Sequence, residues 1–424
     1  METPEGSYCN RWVILTAAVV VQMCLGTVYA WSYFQSLLVT DYRWSHTETA
    51  WAFGLVIFSI GTSAPLAGFN LARIGPRKLA VAGGILFSLS YLLGGVALNM
   101  KSMPLFYVGY SIVGGIGIGL GYVTPVVTVA KWFPHKTGLA TGVVTMGFGL
   151  GAFVMSKLLA PGLLAGPVPN LPDAFLWMSV IFAAVLLPAA LVLRNPPVDA
   201  PRAAPAAAAA SGSVRPCLLS AQFAFMWIAF FFNIGAGIAV ISFQSSLLQG
   251  IWAREHPQLE PVVIAGYGAT LIAVSSLFNG VGRLAWGMAS DRFGRAESFR
   301  FLLASQMVVF GVLMTVHNPW VFCALVCYVL LCFGGGFGIM PAFVLDAFGE
   351  RRSAAVYGTI LTAWACAGIA GPLIMASWED NYPDRAVIYC FLTGVIFLGS
   401  GFVFSFLLSN DKVTVLDEPA RLTT

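Results

Sequence analysis

Arg283 is the residue whose type and position most clearly indicate chemistry, because it interrupts an apolar run over residues 262–290. A guanidinium keeps its charge inside proteins, and a cation at the centre of a bilayer costs at least ~2.5–3.5 kcal/mol. None of the 18 Asp and Glu residues falls in the middle of an apolar run. A permanent cation without an internal counter-ion predicts that the counter-ion is a ligand. We therefore expect Arg283 to bind a small organic anion.

Asn279 lies one helical turn before Arg283 and faces the same way. Its amide could donate to a bound carboxylate or to a substrate hydroxyl, or it could bond to a neighbouring helix. Arg283 itself could instead bond to helix carbonyls, or reach along its helix to Asp291. We favour ligand binding, because ionisable residues inside membranes are usually functional and a guanidinium can hold a carboxylate through two parallel hydrogen bonds.

Tyr122 follows a glycine run over residues 114–121. The run lies inside an apolar segment with no strand before it, which indicates close helix packing and not a nucleotide-binding loop. Pro125, just beyond, would free a backbone carbonyl and bend the helix near Tyr122. The alternatives for Tyr122 are substrate contact and plain packing, and we expect substrate contact.

The composition indicates a membrane protein and not a soluble enzyme, since 58% of the residues are hydrophobic and only 9% are charged. Soluble domains average about 25% charged residues. The net charge of +4 is too small and too scattered to suggest nucleic acid as a partner. The eight Cys residues lie mostly in apolar runs, where we expect no disulfide, metal or cofactor. No catalytic dyad lies in these runs, so we expect a protein that is not an enzyme.

The predicted fold is an all-α polytopic membrane protein with twelve transmembrane helices, since a spanning helix needs about 20 apolar residues. The predicted spans are 11–36, 50–71, 79–98, 104–130, 138–160, 174–194, 220–246, 262–288, 299–317, 319–345, 354–377 and 386–408. A Pro/Ala/Ser-rich stretch after the sixth span is typical of a linker. The predicted organisation is an N-terminal six-helix bundle over 1–194, a cytoplasmic linker over 195–219, a C-terminal six-helix bundle over 220–410 and a cytoplasmic tail over 411–424.

The positive charges predict the orientation. Of the 22 Lys and Arg residues, sixteen lie in the two terminal segments and in the loops on the same side of the membrane, against four on the opposite side. The positive-inside rule then places both termini in the cytoplasm of a multi-pass protein of the cell (inner) membrane. We expect the protein to be a monomer.

The two halves of the chain repeat one another. Pro125 and Gly142 are seventeen residues apart, and Pro341 and Gly358 have the same spacing. Glycines near the ends of the second and eighth spans also match in spacing. Two parallel six-helix repeats are typical of alternating-access transporters, which hold their ligand at the interface between the repeats.

On these features the chain resembles the major facilitator superfamily, whose cytoplasmic loop motif is matched by GMASDRFGR at 287–295. The counterpart in the first half is degenerate, with Ala72 where relatives carry Asp. Within the superfamily the chain resembles oxalate/formate antiporters and bacterial monocarboxylate porters. The matching pieces are YAW at 29–31, WFP with GLATG at 132–142, FNGVGRLAWGMASDRFGR at 278–295 and YG at 357–358. The resemblance implies that Arg283 binds a substrate carboxylate and that Tyr122 donates a hydrogen bond to it.

One departure bears on the substrate. The oxalate carrier has a second cation, a Lys seven residues after its Tyr of YG, where this chain has Trp364. Phe148 and Phe337 stand where that carrier has Tyr. One cation beside a bulky indole suits a monocarboxylate such as lactate or pyruvate. The expected function is secondary transport of such an acid, with proton coupling. The alternatives are an oxalate/formate-type anion exchanger and, more remotely, a carboxylate sensor that does not transport.

Further residues are candidates for the cavity wall or the inner gate. Ordinary helix packing is an equal alternative for each wall candidate, namely Tyr29, Trp31, Phe148, Phe333, Phe337 and Trp364. The gate candidates are Asp291, Arg292, Arg295, Asp346 and Arg351, for which solvated loop charge is the alternative.

We expect the Lys157 side chain to snorkel to the membrane surface. The His residues, including His46, are expected in loops, so none is predicted to relay protons, and the best acids, Asp346 and Glu379, are at helix ends.

Overall fold

A computed structural model describes residues 10–134, 137–164, 170–197, 214–382 and 385–413. Within them, twelve helices are long and apolar enough to cross a membrane, and we number these α1–α12. The helices are Arg11–Tyr42, His46–Ile74, Pro76–Asn99, Met103–Trp132, Gly138–Leu164, Leu171–Val192, Ala221–Glu255, Pro261–Phe293, Arg295–Leu313, Pro319–Phe348, Arg351–Asn381 and Ala386–Ser405. The twelve predicted spans are thereby confirmed, although several helices continue beyond their apolar runs.

Three tight turns connect consecutive helices through a glycine with positive φ. Gly75 (φ 86°) ends α2, Gly294 (φ 93°) ends α8 and Gly349 (φ 78°) ends α10, and in each case the next helix begins at the following residue. Only glycine adopts this conformation without strain. Gly75 and Gly294 occupy equivalent places in the two halves, as the sequence repeat predicts. We call the end of the bundle that carries these turns the basic end.

The two halves meet along two helix pairs, α2 with α11 and α5 with α8. Small residues allow this approach at both ends of the molecule. Gly68 of α2 faces Ala354 at the basic end, and Gly54 faces Gly368 towards the opposite end. The two halves are therefore in contact at both ends, and the centre between them is enclosed.

Two of the central helices are interrupted near the middle. In α1, the segment Thr27–Ala30 is a 3₁₀ turn, and in α11 the helix pauses at Leu361, between Glu350–Ile360 and Thr362–Asn381. Such breaks often occur at functional positions, because they change the direction of the side chains that follow. Here they lie beside Tyr29 in α1 and Trp364 in α11.

Some sequence predictions fall outside the described residues. The linker predicted over 195–219 includes 198–213, which are not described, and a short helix, Arg215–Leu218, lies at its end. Most of the predicted tail, residues 414–424, is also outside the described part. The division into two bundles and a linker stays a prediction.

Candidate functional site

Arg283 lies in the enclosed centre, with a relative exposure of 0%. Its Nη1 donates a 3.1 Å hydrogen bond to the hydroxyl of Tyr122, and its Nε lies 3.5 Å from Oδ1 of Asn279. Its Nη2 is buried and has no hydrogen-bond partner among the described residues. One edge of the guanidinium is thus left with an unused donor.

Two phenylalanine rings flank the guanidinium. Its Cζ lies 4.7 Å from the ring centroid of Phe337 and 5.2 Å from that of Phe148. Cation–π contacts of this kind stabilise a desolvated cation by about 2 kcal/mol or more. The rings supply no negative charge, however, so the site keeps its net positive charge.

No acidic side chain in the described part of the chain forms an ion pair with Arg283. Asp291, the alternative partner considered from the sequence, is instead 2.6 Å from Nη2 of Arg295. Arg283 therefore does not reach along its helix to Asp291. It points towards Tyr122 of α4, in the other half of the chain.

Further polar atoms without a partner among the described residues surround Tyr122 and Arg283. They are the hydroxyls of Tyr29 and Tyr357 and the indole Nε1 of Trp364. The Tyr29 hydroxyl is close to Arg283, and the Tyr357 hydroxyl is close to that of Tyr122, but neither pair has the geometry of a hydrogen bond. A buried donor without an acceptor costs about 1–3 kcal/mol. The arrangement therefore suits a ligand that brings acceptor oxygens.

Aromatic rings form the rest of the wall. The indole of Trp364 lies 5.5 Å from the Tyr122 ring and 5.0 Å from the Phe337 ring, measured between centroids. Tyr29 lies 5.2 Å from Phe148 and 5.7 Å from Phe333. The structure thus brings five of the six wall candidates together around Arg283.

Trp31 is the wall candidate that lies elsewhere. Its ring stacks on Phe53 at 5.8 Å and on Tyr110 at 6.0 Å, inside the first half of the chain. Tyr29 and Trp31 are two residues apart, and each residue turns a helix by about 100°, so the two side chains leave α1 on opposite sides.

Two members of the site were not among the sequence candidates. Tyr357 had been noted only as part of the YG match. Gln22 of α1 donates a 2.8 Å hydrogen bond from Nε2 to the backbone carbonyl of Tyr122. A polar amide inside the first apolar run was the signal that could have found Gln22, since buried amides need partners.

Three of the five gate candidates meet at the basic end. Arg295, the first residue of α9, lies 2.6 Å from Asp291 of α8 and 3.0 Å from Asp346 of α10. The Asp291 carboxylate also lies against Gly138, at the start of α5 in the other half. A carboxylate at a helix N-terminus is favourable because of the helix dipole. This network therefore joins the two halves when the basic end is closed.

The other two gate candidates do not join this network. Arg292 has its guanidinium over the ring of Phe293, the next residue. Arg351 is exposed at the start of α11. For these two, the geometry matches the alternative of solvated loop charge more closely than an inner-gate role.

At the opposite end, polar contacts also join the halves. Nδ1 of His46 lies 3.8 Å from Oε2 of Glu379, and the Thr47 hydroxyl donates to the Asp380 carboxylate. The prediction that His46 lies in a loop is wrong, because it is the first residue of α2, which the Ser45 side chain caps. This end is therefore closed as well.

Lys157 also contributes to the closed opposite end. Its Nζ donates a 2.8 Å hydrogen bond to the hydroxyl of Thr270, which links α5 to α8. The side chain is exposed, as snorkelling predicts, but it has a defined partner in the other half.

The sequence model of the protein family named Major Facilitator Superfamily matches residues 14–372 of this chain. The chain is 26% identical over 378 residues to the oxalate:formate antiporter of Oxalobacter formigenes. That alignment covers 88% of this chain and 86% of the antiporter. The chain is 25% identical over 453 residues to apicoplast pyruvate carrier 1 of Toxoplasma gondii, covering 83% and 81%. The crystal structure of a variant of the E. coli fucose:proton symporter FucP aligns with a TM-score of 0.64 at 15% identity, covering 94% of this chain and 99% of that one.

Proposed function

Because the chain belongs to the Major Facilitator Superfamily, a family of transporters, we propose that it is a secondary transporter for a small monocarboxylate such as lactate or pyruvate. It binds the acid between its halves and exposes it to the two sides of the membrane in turn. The proton coupling expected from the sequence is part of the proposal.

The observation that carries the proposal is the state of Arg283. It is fully buried, it has no acidic partner among the described residues, and its Nη2 has no acceptor there. A carboxylate can accept two parallel hydrogen bonds from a guanidinium, which satisfies both the charge and the unused donor. The hydroxyl of Tyr122, 3.1 Å from Nη1, is placed to contact the same carboxylate.

The neutral surroundings favour one carboxylate over two. Phe148 and Phe337 flank Arg283 and Trp364 packs against both rings, and none of the three carries a positive charge to balance a second carboxylate. A second carboxylate buried without a counter-ion costs several kcal/mol. This argues for a monocarboxylate with a short tail against these rings, and against an oxalate/formate-type exchanger, although one relative bears the name oxalate:formate antiporter. Another relative is named a pyruvate carrier.

Alternating access would use the two closed ends. In one state the contacts of Arg295 and Asp291 break and the basic end opens. In the other state the contacts of His46 and Glu379 break and the opposite end opens. The excess of Lys and Arg in the loops supports a cytoplasmic position for the basic end, in the cell (inner) membrane, with the protein acting as a monomer.

A thermal-shift panel on the purified protein tests the proposal. We expect lactate and pyruvate to raise the Tm, since a ligand at 100 times its Kd stabilises by about 2.7 kcal/mol. Oxalate and malonate should raise it little. Uptake of the same acids into proteoliposomes then separates a transporter from a sensor. A response to oxalate alone would favour the exchanger, and no response to any monocarboxylate would contradict the proposal.

Acid-driven uptake without internal substrate would support proton symport. Strict dependence of uptake on internal substrate would support anion exchange instead.

A further inference from the structure

Two buried polar groups on α11 lie close to the carboxylate-binding residues but have no role in holding a carboxylate. Tyr357 is 2% exposed and Trp364 is 0% exposed. The hydroxyl of Tyr357 and Nε1 of Trp364 have no hydrogen-bond partner among the described residues. Groups of this kind are usually paired in proteins, so each requires an explanation.

The two groups share one side of the site. They lie on α11 on either side of the break at Leu361, and both are close to Tyr122 of α4. The Trp364 ring lies 5.5 Å from the Tyr122 ring, and the Tyr357 hydroxyl is beside the Tyr122 hydroxyl. Both groups face Tyr122 from the second half of the chain.

The hydroxyl of Tyr122 thus has both Arg283 and Tyr357 as neighbours. A carboxylate bound through two parallel hydrogen bonds to Arg283 would have its next carbon, C2, directed away from the guanidinium. An oxygen on C2 would then face the remaining donors near Tyr122, which are those of α11. The indole N–H of Trp364 can only donate, so a carbonyl or hydroxyl oxygen is a suitable partner, and a methylene group is not.

We infer that Tyr357, with Trp364, recognises an oxygen on C2 of the substrate, so that the transporter selects 2-oxo or 2-hydroxy acids over unsubstituted acids of the same length. The inference rests on the proposed function and adds to it the residues that set specificity. A site built to hydrogen-bond a substrate oxygen rejects the analogue that lacks it, because its own polar groups are left unpaired.

Binding of pyruvate and propionate to the purified full chain, measured by calorimetry, tests the inference, since propionate lacks only the C2 oxygen. We expect the wild type to bind pyruvate about twofold to twelvefold more tightly than propionate, which is the range that one neutral hydrogen bond contributes. Tyr357→Phe should lower this ratio, mainly by weakening the binding of pyruvate. Trp364→Phe, which keeps an aromatic ring but removes the N–H, should lower the ratio in the same way.

Two control variants separate specificity from general damage. Tyr122→Phe should weaken pyruvate and propionate alike, because Tyr122 contacts the carboxylate that both share. Tyr91→Phe should change neither, because Tyr91 is buried among Phe87, Tyr110 and Phe182 of the first half.

A wild-type ratio near unity would overturn the inference while leaving the monocarboxylate carrier intact. A Tyr357→Phe variant that keeps the wild-type ratio, or that weakens both acids equally, would also overturn it. Failure of the wild type to bind either acid would contradict both the inference and the proposed function.

Discussion

The guanidinium of Arg283 donates to the hydroxyl of Tyr122 across 3.1 Å, between residues that are 161 positions apart in the chain. The bond joins α8 of the second half to α4 of the first, at the enclosed centre of the molecule. A ligand carboxylate that binds Arg283 would compete with or extend this bond. Ligand binding and the contact between the halves are therefore linked at the same atoms.

Arg283→Lys should abolish monocarboxylate uptake while the protein still reaches the membrane. An ammonium keeps the charge but cannot form two parallel hydrogen bonds with a carboxylate. We expect binding to weaken by at least about tenfold, since hydrogen bonds to charged groups contribute about 1.5–3 kcal/mol. Proteoliposome uptake and the thermal shift with pyruvate measure this. Arg254→Lys, an exposed residue of α7, is the control and should behave as wild type. Near-normal uptake by Arg283→Lys would contradict the role of Arg283.

Trp364→Lys should shift the preference from monocarboxylates towards dicarboxylates. The new ammonium would stand among the rings around Arg283 and supply the second cation that a dicarboxylate needs. Without ligand the variant should be less stable than wild type, because a buried unpaired charge is costly. Oxalate should restore its Tm more than pyruvate does, and Trp364→Leu is the control for loss of the ring. A larger rise in the Tm of this variant with pyruvate than with oxalate would show that the residue at position 364 does not determine whether the site accepts one carboxylate or two.

Arg295→Gln should favour opening of the basic end, because it removes the ion pairs to Asp291 and Asp346 at 2.6 and 3.0 Å. Breaking such a network should increase hydrogen exchange in the amides near residues 286–296, and uptake should fall as the two states become unbalanced. Arg292→Gln, three residues away, is the matched control. In the described part of the chain, the Arg292 guanidinium lies over the ring of the adjacent Phe293 and is outside the ion-pair network. Equal effects of the two variants would argue against a specific gate at Arg295.

Glu379→Gln should loosen the opposite end. The Glu379 side chain is 17% exposed and faces His46 across 3.8 Å, so the variant changes a partly buried polar contact between α2 and α11. We expect faster hydrogen exchange near the start of α2 and no change at the basic end. Glu255→Gln, at the exposed end of α7 on the same side, is the control. Unchanged exchange at α2 in Glu379→Gln would mean that the His46–Glu379 contact does not hold this end closed.

Gly149→Val should separate α5 from α8 and lower both stability and uptake. A Cβ at position 149 would lie 2.6 Å from Cα of Gly280, so backbone must move to accommodate it. Overpacking of this kind costs about 1–3 kcal/mol. Gly162→Val in the same helix is the matched control, because a Cβ there meets nothing within 4 Å. Similar losses of Tm in the two variants would indicate a general effect of valine in α5 and not a close contact between the halves.

The spans and the resemblance between the halves could be read from the sequence because they depend on local chemistry. In lipid, a run of about 20 apolar residues satisfies its backbone polar groups only as a helix, whatever its neighbours are. The same reasoning identified Arg283, since the cost of a buried cation does not depend on which helices surround it. The glycines at 75 and 294, which match in spacing in the sequence, occupy equivalent turns in the structure, because glycine tolerates positive φ.

Which polar groups meet depends on helix rotation and on contacts between distant parts of the chain. Each residue turns a helix by about 100°, so Tyr29 and Trp31, two residues apart, face opposite sides of α1 and join different clusters. Tyr357 joins the site only because α11 packs against α2 and faces Tyr122. The sequence by itself determined that a cation would be buried among apolar helices. Only the tertiary structure decided which groups surround that cation, because Phe337 reaches it by packing within the second half, and Phe148 and Tyr122 reach it by packing between the halves.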